Sequence, residues 1–165
     1  MLVSVVIPTY NRLPILQQCL RALEAQLPLD PGDDFEVVLV DDGSTDGTVE
    51  WIQQEAAELP HVRLICQEHG GPAIGRNLGV DHAGGEVIIF IDSDLVVVPV
   101  FLQHHLRSLR QAWQRDGDRL CFTYGAVINT HNFESPESEP HKLSDLSWAY
   151  FATGNVAMQS SDHRS

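Results

Sequence analysis

The chain has 165 residues, of which 43% are hydrophobic, and this is enough for one domain with a substantial core. Acidic residues (23) outnumber basic residues (10) and give a formal net charge of −13, which argues against nucleic acid as a partner because such binding relies on Lys and Arg. Three widely spaced cysteines match no zinc or disulfide framework and indicate reduced thiols, and no apolar run is long enough to span a membrane. We therefore expect a cytoplasmic protein, with peripheral attachment to the inner face of a membrane left open.

Strand-like and helix-like patterns alternate along the chain. Apolar, β-branched runs predict strands at residues 2–7, 35–40, 62–66, 86–91 and 120–128. Helical spacing predicts helices at residues 13–26, 48–59, 72–83 and 99–113, with Asp46 as the N-cap of the second. This alternation predicts an α/β fold with a mainly parallel sheet covered by helices on both faces.

The last third of the chain is less regular. Residues 129–147 are rich in Ser, Pro, Glu and His and are predicted to form a surface loop, whereas residues 147–158 regain apolar character. The polar residues 159–165 are predicted to be a disordered tail. We therefore expect one domain over residues 1–158.

The most informative motif is the triplet Asp92-Ser93-Asp94, which directly follows the apolar run at residues 87–91. In an extended chain, residues two apart point the same way, about 6–7 Å apart, so the two carboxylates could share one divalent cation. Carboxylates with open positions suit Mg²⁺ or Mn²⁺, and ligands of open α/β sheets bind at the carboxyl ends of strands. The alternative is that the two aspartates cap the helix that follows.

Polar or aromatic residues also follow the first two predicted strands. Tyr10 comes just after the first strand, where its ring could stack on a base, and Asp42 follows the second, where it could accept a hydrogen bond from a base or a ribose. Arg76 in the third helix could touch a nucleotide or brace the aspartate pair. The alternatives are a packing role for Tyr10, a simple Asp-Gly-Ser turn around Asp42, and a solvated surface position for Arg76.

Four segments, VVIPTYNR, VDDGSTDGT, GGPAIGRNLG and VIIFIDSDLVV, resemble in order and spacing the family 2 glycosyltransferases with the GT-A fold. The similarity covers about residues 2–102 and returns more weakly at residues 151–158. It implies a Rossmann-like α/β fold, a nucleotide-diphosphate sugar donor (usually a UDP-sugar), and Mn²⁺ or Mg²⁺. It also implies inversion at the anomeric carbon during transfer to a hydroxyl of a saccharide or lipid-linked acceptor, as in polysaccharide or glycolipid biosynthesis.

The resemblance also implies roles for individual residues. It places Tyr10 and Asp42 at the nucleobase, Arg76 beside the diphosphate, Asp94 at the metal, and Asp92 near the ribose or the metal. Gly154 and Asn155, from a Thr-Gly-Asn element, are expected near the sugar or acceptor. The predicted nucleotide-binding set is Pro8, Thr9, Tyr10, Arg12, Asp42, Arg76, Asp92 and Ser93, and the predicted metal ligands are Asp94 and Asp92.

The catalytic base is not assigned. In the family the base belongs to an acidic pair beyond the Thr-Gly-Asn element, and this sequence ends at Ser165 without such a pair. Glu139 and Asp145 could substitute for it, but the favoured interpretation is that they are solvated acids of a loop. We therefore expect the N-terminal, donor-binding portion of a C-terminally truncated GT-A domain. A non-catalytic nucleotide-sugar-binding module stays an alternative, whereas a nucleotidyltransferase is disfavoured because the first strand lacks a following Gly-rich loop with Lys or Arg. The oligomeric state is left open.

Overall fold

The computed structural model describes residues 1–116, 121–127 and 154–160. The predicted loop at residues 129–147, with Glu139 and Asp145, lies outside these ranges, as do residues 161–165. Within the described ranges, no helix combines the length and hydrophobicity needed to cross a membrane. The elements are β1 (Leu2–Thr9), α1 (Leu13–Glu24), β2 (Asp34–Asp41), α2 (Thr48–Gln54), β3 (Val62–Cys66), α3 (Pro72–His82), β4 (Val87–Ile91), α4 (Phe101–Asp116), β5 (Phe122–Tyr124) and β6 (Asn155–Gln159).

A six-stranded sheet of order β3-β2-β1-β4-β6-β5 forms the centre of the described structure. The first four strands in this order are parallel, whereas β6 runs antiparallel to both β4 and β5. Strands such as β1 and β4 read as nearly continuous apolar runs because helices cover both faces of a parallel sheet. The predicted α/β fold with a mainly parallel sheet is confirmed.

Alternate residues of β1 face opposite sides of the sheet, as the two-residue period of a strand requires. Val5 belongs to a core that also contains the apolar stripes of α1 and α4, including Leu20 and Leu106. Val6 belongs to a second core on the other face, where Leu78 of α3 packs. The prediction of helices on both faces is therefore confirmed.

Helix α3 lies unusually close to the sheet because two small residues face it. A Cβ atom added to Gly79 would clash with Cγ1 of Val6, and one added to Gly75 would come within 3.2 Å of Cβ of Pro8. Gly75 sits directly before Arg76 in the chain. The glycines thus hold the start of α3, with Arg76, over the carboxyl end of β1.

Several element boundaries differ from the predictions. Helix α2 ends at Gln54 rather than near residue 59, and turns follow it. The fifth strand spans only three residues, Phe122–Tyr124, within the predicted range 120–128. Strand β6 was not predicted; it runs to Gln159, one residue past the expected domain end, and the N–H of Ser160 still donates to the carbonyl of Glu86 at 2.9 Å.

Candidate functional site

The carboxyl ends of β2, β1 and β4 meet at one edge of the sheet because these three strands are parallel neighbours. Asp42 follows β2, Tyr10 follows β1 and Asp92 follows β4. This is the edge at which ligands of open α/β sheets bind. The fold therefore brings the ends of the three predicted motifs to one rim.

The triplet Asp92-Ser93-Asp94 forms a turn rather than a continuation of β4. The strand ends at Ile91, and the N–H of Leu95 donates to the carbonyl of Asp92 at 3.1 Å. The expectation drawn from extended geometry, that the two carboxylates point the same way, therefore does not describe this segment. Neither aspartate caps α4, since that helix begins only at Phe101.

Each carboxylate of this turn pairs with a different arginine. The guanidinium of Arg12 donates to Oδ2 of Asp94, and Nη2 of Arg76 donates to Oδ1 of Asp92 at 2.5 Å. The side chains of Asp92 and Asp94 are still 45% and 42% exposed, so both oxygen pairs remain open to solvent. Two of the ten basic residues of an acidic chain therefore converge on the two carboxylates.

Arg76 is not a solvated surface residue. Its side chain is only 19% exposed, and its Nε is buried without a hydrogen-bond partner among the residues that the structure describes. Of the two functions expected for it, the structure contains the contact with Asp92. Ser93, between the two aspartates, is buried.

Asp42 is almost fully buried, with 3% of its surface exposed, yet both oxygens of its carboxylate accept hydrogen bonds from protein groups. Oδ1 accepts from the side-chain amide of Gln67 at 2.5 Å and from the N–H of Gly70 at 2.8 Å, and Oδ2 accepts from the N–H of Gly71 at 2.8 Å. His69 adds its Nδ1 at 2.8 Å from Oδ2. Burial alone raises the pKa of Asp42, but these hydrogen bonds outweigh it and hold the pKa below its usual value.

Tyr10 does not pack into the core. Its surface is 42% exposed, and its ring stacks on the imidazole of His69 with the centroids 4.1 Å apart and the planes 26° apart. The adjoining Thr9 is buried, and its carbonyl accepts the N–H of Asp42 at 2.9 Å, while Pro8 lies opposite Val40. The ends of β1 and β2 are thereby fixed side by side.

The loop that carries Arg12 is held by Asp46. One carboxylate oxygen of Asp46 accepts the N–H of Leu13 at 2.9 Å, and the other accepts the N–H and the hydroxyl of Thr48, at 3.2 and 2.6 Å. The N-cap of α2 is Gly47, with a left-handed φ of 88°, so the prediction of Asp46 as N-cap is wrong by one residue; Asp46 still accepts the N–H of the first residue of α2 and holds the first turn of α1. Burial raises its pKa, but the hydrogen bonds from Thr48 and Leu13 prevail and lower it.

Gly154 and Asn155 lie at the start of β6, next to the end of β4. A Cβ atom added to Gly154 would approach Oδ2 of Asp92 to 2.5 Å, so only glycine fits here without moving that carboxylate. Asn155 lies opposite Ile91 and is buried, and its Oδ1 is 3.0 Å from Nε2 of His105. The structure therefore brings Gly154 of the Thr-Gly-Asn element against the first aspartate of the triplet.

His105 supports Asn155 from α4. Its Nε2 donates to Asn155, which leaves Nδ1 to accept the hydroxyl of Thr123 on β5 at 2.7 Å. Burial lowers the pKa of His105 below its usual value and favours this neutral form. His105 thus joins α4, β5 and β6 beneath the site.

Sequence reasoning did not single out Gln67, His69 or His105. Gln67 and His69 precede the glycine pair and carry no characteristic spacing, while His105 reads as one more position of an amphipathic helix. Only their position next to Asp42 in the parallel sheet, or beside Asn155, gives them significance. The one sequence signal that could have found the first two is the polar triplet at residues 67–69, between a strand and a Gly-Gly helix start.

The described residues contain no group of three or more His, Cys, Asp or Glu side chains able to hold a metal by themselves. Asp92 and Asp94 instead offer two exposed carboxylates. Mg²⁺ and related hard cations are commonly bound by one or two carboxylates together with substrate phosphates. The donor set therefore fits a divalent cation that arrives with a diphosphate better than a metal held by the protein alone.

Comparison with known proteins matches residues 4–148 to the model of glycosyl transferase family 2. Glycosyltransferase GlyG of Streptococcus pneumoniae is 33% identical over 154 residues, which are 93% of this chain and 44% of GlyG. The mannosyltransferase PcManGT of Pyrobaculum calidifontis, solved with GDP-Man and Mn²⁺, superposes with a TM-score of 0.68 at 25% identity, over 95% of this chain and 44% of that one.

TarS of S. aureus, solved in complex with UDP-GlcNAc, superposes with a TM-score of 0.59 at 32% identity, over 67% of this chain and 32% of TarS. The chain thus spans less than half the length of each of these three proteins. The family match nevertheless covers most of its residues. The chain belongs to glycosyl transferase family 2 and has the α/β architecture of the GT-A fold.

Proposed function

We propose that this chain binds a nucleotide-diphosphate sugar at the carboxyl edge of its sheet and forms the donor half of a metal-dependent, inverting glycosyltransferase. The observation that carries the proposal is the double pairing of Asp92 with Arg76 and Asp94 with Arg12, on the same rim as buried Asp42. A strand-end site with exposed carboxylates and adjacent cations suits a ligand that brings both a metal and phosphates.

The nucleoside end of the donor is assigned to Tyr10 and Asp42. Tyr10 offers an exposed aromatic face, and Asp42, on the same rim of the sheet, is a buried acceptor whose lowered pKa favours the ionised form. Aromatic stacking tolerates any base, whereas a buried acceptor selects a base that presents an N–H group. The backbone of Pro8 and Thr9, held against β2, forms the adjoining wall.

The diphosphate and the metal are assigned to the two Asp–Arg pairs. Asp94 and Asp92 are the proposed ligands of Mn²⁺ or Mg²⁺, and a bound metal would neutralise the charge that develops on the departing nucleoside diphosphate. When Asp94 and Asp92 also bind the metal, Arg12 and Arg76 would each have N–H donors available for phosphate oxygens. Arginine binds phosphate in bidentate fashion. The acidic protein thereby presents two guanidinium groups where the phosphates would lie.

The sugar is assigned to the region of Gly154 and Asn155. Gly154 lies against Oδ2 of Asp92, so the sugar of a donor whose phosphates reach this aspartate would come next to the start of β6. Asn155 is held by His105 and is therefore fixed rather than mobile. An acceptor hydroxyl, on a saccharide or a lipid-linked sugar, would approach from the same side.

The structural neighbours carry different nucleotides, GDP in one case and UDP in the other, so the proposal names the class of donor and takes UDP-sugars as the first to be tried. Both donors share a ring N–H on the base and a diphosphate. These are the two features that Asp42 and the Asp–Arg pairs are placed to recognise.

The proposal is tested by incubating the chain with UDP-GlcNAc or GDP-mannose and Mn²⁺ and measuring release of the nucleoside diphosphate, with and without saccharide acceptors. We expect release that depends on Mn²⁺ and is lost in Asp94→Asn, whereas Asp81→Asn, the same change at an exposed position of α3, retains it. Donor binding without release would favour the non-catalytic binding module. Failure of every donor to bind would overturn the proposal.

A further inference from the structure

We infer that in the ligand-free protein His69 occupies the place of the nucleobase, and that a bound nucleotide displaces it. The inference rests on the proposed function and adds a residue that competes with the ligand for the same two contacts. Its practical consequence is that removing the His69 ring tightens nucleotide binding.

The Asp42 carboxylate has a limited number of hydrogen-bond positions. An ionised carboxylate has about four lone-pair positions. Among the described residues, four donors already reach the Asp42 carboxylate: Gln67, His69, Gly70 and Gly71. A base N–H can therefore bind Asp42 only if one of these four donors leaves.

The donors that contact Asp42 differ in how easily they can move away from it. Gly70 and Gly71 donate through their backbone, and Gly71 is tied into the first turn of α3, since its carbonyl accepts the N–H of Gly75 at 3.1 Å. The side chain of His69 is 57% exposed, and its Nδ1 divides its contact between Oδ2 of Asp42 at 2.8 Å and the carbonyl of the same residue at 3.2 Å. Gln67 is half-buried, and its own N–H is fixed to the carbonyl of Asp41 at 2.9 Å, so the exposed side chain of His69 is the donor that moves into solvent most easily.

His69 also makes an aromatic contact with Tyr10. The imidazole of His69 covers one face of Tyr10, the residue proposed to stack on the base. Both oxygens near Nδ1 are acceptors, so Nδ1 carries the hydrogen. His69 thus presents to the site a flat ring on Tyr10 and a ring N–H on Asp42, which are the features that uracil or guanine would present.

The expected size of the effect depends on how often the His69 ring covers the site. The apparent Kd of a site equals its intrinsic Kd divided by the fraction of molecules able to bind. If the His69 ring covers the site in roughly 70–90% of molecules, the apparent Kd is about three- to tenfold higher. An exposed ring stack and one partly shared hydrogen bond are consistent with such a modest preference.

The test is calorimetric titration of UDP, in the presence of Mn²⁺, into the wild-type chain and into His69→Ala. We expect a Kd about three- to tenfold lower for His69→Ala. His82→Ala, an exposed histidine at the end of α3, is the matched control and should leave the Kd unchanged. His69→Phe keeps a ring on Tyr10 without the N–H and should fall between the two.

The outcomes separate this inference from the proposed function. If the wild-type chain binds UDP and His69→Ala binds it equally or more weakly, displacement of His69 is wrong while the donor site stands. If neither chain binds any nucleoside diphosphate, the proposed function fails and this inference fails with it. Binding by His69→Ala alone would support both.

A second readout follows the ring itself. In the wild-type chain, the Cε1–H resonance of His69 should carry the ring-current shift of Tyr10, and UDP with Mg²⁺ should move it towards its position in a Tyr10→Ala variant. A resonance that stays in place while UDP binds would show that the ring does not leave, and would overturn the inference.

Discussion

Each acidic residue of the site has its own partners, and these partners differ in kind. Asp42 is buried among N–H donors, while Asp92 and Asp94 are half exposed and pair with arginines. A buried carboxylate with several N–H donors is fixed in its ionised form, whereas an exposed ion pair contributes little to stability and exchanges partners readily. The base end of the site is therefore rigid and the metal end is adaptable.

The amide variant Asp42→Asn tests the rigid end. Its Nδ2 would face N–H groups of Gly70, Gly71 or Gln67 that need an acceptor, so at least one buried donor would lose its partner. We expect a loss of about 1–3 kcal/mol in the free energy of unfolding, together with loss of nucleotide binding. Denaturant unfolding measures the first effect, and Asp81→Asn, which changes an exposed aspartate in the same way, should change the stability by less than about 0.5 kcal/mol.

The variant Gly154→Ala tests the contact between β6 and the metal end. The added methyl group would come 2.5 Å from Oδ2 of Asp92 and must push that carboxylate aside. We expect at least about tenfold weaker binding of UDP with Mn²⁺ and a smaller change in binding of UDP alone, because displacement of a ligand by about 1 Å is costly. Gly84→Ala adds a methyl group at the far edge of the sheet and is the control. Unchanged binding by Gly154→Ala would remove Asp92 from the metal site.

At the scale of elements, α3 sets the position of Arg76 through its contact with β1. Gly79 allows this contact, since a Cβ atom there would clash with the buried Val6. We expect Gly79→Ala to lower the free energy of unfolding by about 1–3 kcal/mol, because overpacking forces backbone shifts. Asn77→Ala, at an exposed position of the same helix, should lie within about 0.5 kcal/mol of wild type. Equal stabilities of the two variants would show that α3 can move away from the sheet at no cost.

The elements also show what the sequence could and could not predict. Strands β1, β2 and β4 were predictable because their continuous apolar runs have no other stable environment than a covered parallel sheet. Strand β6 was not, since Asn-Val-Ala-Met-Gln has no clear alternation and pairs with β4 only through a contact far along the chain. Its partner β5 is three residues long for a similar reason, because only the pairing with β6 defines it.

The residues of the site show the same difference between features visible in the local sequence and features that depend on distant contacts. The strand-end positions of Tyr10, Asp42 and Asp92 were predictable, because the end of each apolar run is visible in the sequence. The partners of these residues were not, since the contact of His69 with Asp42 and that of Arg12 with Asp94 depend on loops that meet only in the folded chain. The expected roles of these residues in nucleotide and metal binding stay predictions.

At the scale of the whole molecule, the lowered pKa values of three carboxyl groups and of His105 all make stability decline at low pH. The pKa values of Asp42, Asp46 and Glu36 are lowered because hydrogen bonds outweigh burial, and that of His105 is lowered mainly by burial. A lowered folded-state pKa gives stability that is present above the unfolded-state pKa and is lost as the pH falls. Stability should therefore decline on acidification, first below about pH 6.5 through His105 and then below about pH 4.5 through the carboxylates.

Denaturant unfolding at pH 7, 6 and 5 (about the range in which an unfolded histidine titrates) isolates the His105 contribution. We expect the decline over this range to be smaller in His105→Gln, which does not titrate, and to persist in His104→Gln, the exposed neighbour on α4. A steeper decline in His105→Gln than in wild type would contradict the assignment of a neutral, buried His105.

The central claim is that the Asp–Arg pairs at the end of β4 bind a metal together with a nucleoside diphosphate. Titration of UDP into the chain with and without Mn²⁺, for wild type, Asp94→Asn and the Asp81→Asn control, tests it most directly. The account predicts that Mn²⁺ strengthens binding at least about tenfold in wild type and in the control, that Asp94→Asn loses this gain, and that Mn²⁺ alone binds weakly. Binding of UDP that is equally tight with and without Mn²⁺ in wild type and in Asp94→Asn would contradict it.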